Sequence, residues 1–320
     1  MKPTNPQNNP SFTPRFPLAH TFSIVARDPE TGQMGVAVQS HWFSVGGLAP
    51  WAEAGVGVVA TQAIVEPSYG PLGLELMYTN KSARTVLQAL LEPDEGRELR
   101  QVAMVDNKGR VCAHTGSRCI AEAGHEVGEQ FSVQANMMAN RDVWPAMASA
   151  YRSANGDLAD RMLAALVAGQ EAGGDIRGRQ SACILIVKAR ASKRPWEDTL
   201  MDLRVEDHPT PVQELKRLVR LYRAYDRMNE GDRFMEKNDV PGALEAYSAA
   251  AGIAPEIDEL PFWHAVTLAD LGRLDEALPI FKNLFSHNPN WADLLQRLPA
   301  SGFLKDDPDM MRRILETTRE

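Results

Sequence analysis

Residues 21–41 constrain the fold more than any other stretch. Two β-rich segments, 22–26 and 34–38, flank Asp28, Pro29, Glu30, Thr31 and Gly32. Proline presets φ and glycine accepts positive φ, so the pattern predicts a hairpin with a loop of several residues. The first strand opens on a hydroxyl residue, Thr21, and the second closes on Gln39, Ser40 and His41. A strand that starts on threonine, with polar side chains beside that start, is the arrangement an N-terminal nucleophile needs. A threonine that simply favours extended backbone gives the same pattern.

At 320 residues the chain has room for two domains. Its net charge of -8 and its lack of a Lys/Arg block argue against a nucleic-acid partner. Cys112, Cys119 and Cys183 have no CxxC spacing and read as reduced, buried residues of a cytoplasmic protein. No apolar run reaches the length of a membrane span, so no membrane partner is expected. Residues 1–20 carry five prolines among polar residues and predict an extended tail rather than a helix or central strand.

Downstream, 46–51 and 66–71 read as loops. Residues 54–63 alternate small and apolar residues and read as one buried strand, with Gly55 and Gly57 allowing another backbone to approach. Helices are predicted from Leu72 to Met77 and after an N-cap at Ser82. Residues 101–105 and 110–114 form a hairpin around Asp106, Asn107, Lys108 and Gly109. A loop at 124–128 precedes a strand at 130–134. Two helices follow, the second capped by Asp157. Strands at 182–187 and 200–205 then lead to a helix started by Pro209 and Pro211. Helix pairs between runs of mainly antiparallel strands point to an α+β fold with sheets between helix layers.

Beyond residue 226, Gly231, Phe234, Ala243, Tyr247, Ala250 and Pro255 stand at the spacing of a tetratricopeptide repeat. Ala277, Phe281, Leu284 and Pro289 repeat its second half 34 residues on. The expected organisation is a tail (1–20), a catalytic-type domain (21–225) and a tetratricopeptide-like helical module (226–320).

Several motifs, taken together and in order, resemble the DUF1028 family of the Ntn-hydrolase superfamily. They are Thr21 to Gly32, Pro50 to Gly57, Ala60 to Ala63, Tyr69 to Pro71, Ala113 to Gly116, Gly173 to Asp175, Gly178 to Ser181 and Asp202 to Pro209. The resemblance implies a four-layer αββα sandwich and hydrolysis of a small amide, ureide or acylated amino acid. Thr21 would be the nucleophile and its own α-amine the base. Twenty residues precede Thr21 here, so its nitrogen is an amide unless the bond between residues 20 and 21 is cut.

Gln62 and Asn136 are the candidate amide donors to a developing oxyanion. Ser40, His41, Glu66, Tyr69, Asp175 and Arg179 are the candidate substrate-binding residues, with Arg179 suited to a carboxylate. Asp175 and Arg177 could instead pair to hold their loop. No HxxxH or HExxH occurs, so neither a catalytic metal nor another cofactor is expected. The competing expectation is a non-catalytic binding or assembly protein acting through the helical repeats. In either case the chain is expected to form a homo-oligomer.

Overall fold

The computed structural model describes residues 18–19 and 21–319. Apart from Leu18 and Ala19, the expected N-terminal tail lies outside the described residues. Two strands come first, β1 (Leu18–Ala19) and β2 (Thr21–Arg27), and then β3 (Met34–Ser40). The turn between β2 and β3 forms as its residues dictate. The Asp28 carboxylate accepts from the N–H groups of Glu30 at 2.8 Å and Thr31 at 2.9 Å, and Gly32 takes φ 73°. This fixes the register, with Thr21 opposite Ser40 and Val25 opposite Val36.

The chain continues through β4 (Pro50–Glu53), β5 (Gly57–Ile64), α1 (Tyr69–Tyr78) and α2 (Ala83–Leu91). Next come β6 (Arg100–Asp106), β7 (Val111–Thr115), β8 (Gly124–Gly128) and β9 (Phe131–Ala135). Then follow α3 (Val143–Ser153), α4 (Leu158–Glu171), β10 (Ser181–Val187), β11 (Thr199–Val205) and the long α5 (Pro211–Glu236). All pairing is antiparallel. One sheet runs β1-β5-β6-β7, with β4 also on β5. The other runs β11-β10-β3-β2-β9-β8.

Val25, Val36 and Val38 of the second sheet pack against Val58, Ala60, Ala103 and Val105 of the first, all fully buried. Each buried valine contributes about 1.5–3 kcal/mol. The outer face of the first sheet is covered by Tyr69, Leu74, Met77, Val86 and Leu87 from α1 and α2. On the second sheet, α4 comes so close that a Cβ at Gly169 would stand 3.3 Å from the Phe22 ring.

The observed elements correct the sequence reading in four places. Residues 50–51, expected in a loop, open the edge strand β4, where Pro50 stands first and owes no ladder hydrogen bond. The single strand expected over 54–63 is broken by a turn at Gly55, with φ 75°. Helix α1 begins at Tyr69, because Pro71 fits its first turn. Residues 124–128, expected as a loop, pair with β9 as the edge strand β8. Two cysteine expectations also change: Cys112 and Cys119 are only half-buried, while Cys183 is buried. The close approach expected at Gly57 is present, since a Cβ there would lie 2.7 Å from the Val105 carbonyl oxygen.

The chain divides into two compact units, residues 1–216 and 217–320. In the second, α6 (Val240–Ile253), α7 (Glu259–Asp270), α8 (Leu274–His287), α9 (Asn290–Leu295) and α10 (Pro308–Glu316) follow the end of α5. Phe262, Phe281, Leu284, Leu295 and Ile314 make its core, and Ala224, Ala250, Ala254 and Leu260 a smaller one. The 34-residue spacing is visible here. Tyr247 and Phe281 are both buried, and Pro255 and Pro289 each stand two residues past a helix end. Among the described residues no helix is long and apolar enough to cross a membrane.

Candidate active site

At the Thr21 end of the two sheets the space between them changes from apolar to polar. Ser23 lies between Val38 and Gln134 in register, so it shares the inward face of Val25 and Val36. Thr21, Ser23, Ser40, Gln62, Gln101, Gln134 and Asn136 are all fully buried. Buried polar groups are costly unless bonded, and these bond chiefly to one another. Ser23 Oγ donates to Gln62 Oε1 at 2.6 Å and accepts from Gln134 Nε2 at 2.6 Å. Gln62 Nε2 and Asn136 Nδ2 both donate to Gln101 Oε1, at 2.7 and 2.9 Å. Gln101 Nε2 in turn donates to Thr115 Oγ1 at 2.8 Å and to the carbonyls of Ala135 at 2.9 Å and Gly124 at 3.1 Å.

This network holds Thr21 by its carbonyl. That oxygen accepts from Gln62 Nε2 at 3.1 Å, Asn136 N at 3.2 Å and Asn136 Nδ2 at 3.3 Å. The Thr21 hydroxyl donates to Ser40 Oγ at 3.3 Å. Gln62 belongs to the opposite sheet and reaches Thr21 across the inter-sheet space. Both amide residues are followed by a non-glycine residue in the left-handed region, Ala63 at φ 72° and Met137 at φ 57°. Such backbone costs about 1 kcal/mol or more and concentrates at functional sites. Ala63 lies within β5, which runs on to Ile64, whereas Met137 follows the end of β9.

The other candidates form separate groups. His41 N–H donates to Asp175 Oδ2 at 3.2 Å, and its buried Nδ1 has no partner. Asp175 is gripped by the Arg177 guanidinium, with contacts of 3.0 and 2.7 Å, so these two hold their own loop. Arg179 is exposed. Glu66 accepts from Ser68 N–H at 3.2 Å. The Tyr69 hydroxyl donates to Asp94 at 3.0 Å, and Asp94 also binds Arg100. Burial and the Asp94 charge push the Tyr69 pKa well above its ordinary value. Thr21, Ser40, Gln62 and Asn136 are therefore brought together. Tyr69 joins a different buried cluster.

Sequence reading passed over Ser23, Gln101, Thr115, His125 and Gln134. The available signal was polar residues on the inward side of apolar strands, Gln101 above all. Thr115 Oγ1 accepts from Gln101 Nε2 and also hydrogen-bonds His125 Nδ1, 2.8 Å away. Burial, then the nearby His114 charge, lowers the His125 pKa and favours a neutral ring.

Residues 21–215 match the family model described as "Family of unknown function (DUF1028)". The chain belongs to this family. It is similar to the crystal structure of protein SPO2555 from Silicibacter pomeroyi, of the same family. Identity is 29%, the TM-score is 0.57, and the match covers 63% of this chain and 88% of that one. Among curated proteins, none matches the chain.

Proposed function

We propose that residues 21–216 are an Ntn-type hydrolase of a small amide, ureide or acylated amino acid, with Thr21 as nucleophile. The carrying observation is the buried amide cluster that fixes the Thr21 carbonyl from three donors while its hydroxyl meets Ser40. The order helix pair, sheet, sheet, helix pair supports the same reading, because it is the layer order of an αββα sandwich. Cleavage between residues 20 and 21 would free the Thr21 amine. That amine takes the hydroxyl proton as Oγ1 attacks the amide carbonyl, and returns it to the leaving amine. Water then hydrolyses the acyl ester. Gln62 and Asn136 serve first as positioning groups, and the oxyanion would draw on an N–H that either amide releases.

The helical unit, read as a tetratricopeptide-like module, would serve assembly. A second reading, a binding protein on the same scaffold, is favoured by the peptide link that precedes Thr21 and by the amides being engaged on its carbonyl. Intact mass and N-terminal sequencing after incubation separate the two. A chain beginning at Thr21 is expected, with amide-library activity lost in Thr21→Ala and kept in part by Thr21→Ser. A chain that stays uncut and inactive sinks the nucleophile mechanism.

A further inference from the structure

A second cavity lies at the other end of the sheets. Strand β2 carries Thr21 at one end and Arg27 at the other, about 20 Å apart at strand rise. Around Arg27 the turns of both sheets and the end of α1 line an open cleft of about 630 Å³, a size ordinary for small-molecule sites. Its walls are closely set. Gly32 at φ 73° would drive a Cβ to within 2.9 Å of the Ala189 Cβ, and Gly55 at φ 75° would bring one within 3.0 Å of the Ala191 nitrogen.

The lining inverts the charge of the molecule. In a chain of net charge -8, this cavity gathers Arg27, Lys108 and Arg190 against one acid, Glu30. Arg27 is anchored by a 2.5 Å bond to Gln130 Oε1, and its buried Nε has no acceptor. Val56 and Met77 give a buried apolar floor, and Tyr78 is 71% exposed beside it. Three cations against one acid suit a group carrying nearly two negative charges, which a phosphate monoester does at neutral pH. An exposed tyrosine over an apolar floor suits a flat ring.

We propose that this cavity binds an organic phosphate monoester, with the phosphate among Arg27, Lys108 and Arg190 and a flat ring against Tyr78. The site is independent of Thr21. The test is calorimetric titration of the intact protein with adenosine monophosphate, inorganic phosphate and adenosine. Saturable binding of the monophosphate at sub-millimolar concentration is expected, weakening as salt is raised. Replacing both Lys108→Glu and Arg190→Glu should weaken it about tenfold or more. Both residues are exposed, so a thermal melt matching the parent is expected to show that the fold survives. Glu30→Gln should tighten binding, and Tyr78→Ala should remove the preference over inorganic phosphate. Adenosine binding as tightly as its monophosphate, a double variant that binds like the parent, or no saturation at millimolar ligand would each overturn the proposal. None of these outcomes bears on where the chain begins or whether it cleaves amides.

Discussion

Gln101 shows how much one side chain carries. Its amide makes three donor contacts and accepts two, and every partner is far from it in sequence. Gln101→Leu keeps the volume and strips all five, so that Gln62 Nε2 and Asn136 Nδ2 each lose an acceptor and keep the Thr21 carbonyl. We expect a loss of about 3 kcal/mol, read as a lower urea midpoint with an unchanged slope. An unchanged midpoint would mean that the cluster relaxes around the gap. Gln62 and Asn136 were legible beforehand because each is a polar residue at the end of an apolar run. Gln101 was not, because its weight comes from the register that sets β6 beside β7 and from strands in the facing sheet. Tyr69 was singled out as a substrate-binding candidate, and its partner Asp94, 25 residues on, was not foreseen.

Among elements, the β2–β3 turn makes a pH-dependent prediction. Burial opposes the Asp28 charge, but the Thr31 and Glu30 N–H groups and Arg161, 2.5 Å away, outweigh it and hold the pKa below the ordinary value. The folded-state pKa is thus below the unfolded one. The stabilisation is fully present above the unfolded pKa of about 4 and is lost as pH falls through the folded value. Urea midpoints measured from neutral to acid pH should fall below about pH 4, and Asp28→Asn should lower the neutral midpoint and flatten that acid limb. A parallel shift at every pH would assign the effect to packing. The elements that sequence anticipated, such as this hairpin and the helix capped by Ser82, carry their cause locally: Thr85 N–H meets Ser82 Oγ at 3.1 Å. Those it missed, β4 and β8, are short edge strands. Their extended form comes from a partner strand, and nothing in residues 124–128 announces β9.

At the scale of the whole molecule, two compact units imply two unfolding events. Phe281 is fully buried in the helical unit, stacked on Phe285 at 5.5 Å and edge-on to Phe262 at 6.3 Å. Phe281→Ala should cost about 3–5 kcal/mol there. Calorimetry should show two transitions, with this variant moving only one. A single transition that moves as a whole would mean that the units unfold together. The helical character of this unit was legible because its helices contact their sequence neighbours, so the local pattern carries the information. The two-sheet unit depends on contacts between distant strands, and its layers could be expected only as a class.

Strand β1 pairs with β5 in one sheet, and β2, beginning one residue later, lies in the other. A pairing of two residues is too small to repay the ordering of a free peptide. It persists through the tether, which keeps the local concentration high. Cutting next to Thr21 would turn that contact into an encounter between separate molecules. Loss of that pairing would bare the backbone of Ala63 and Ile64 next to Gln62. Such a cut would work as a ratchet: one broken bond would remove the tether that holds β1 beside its partner strand.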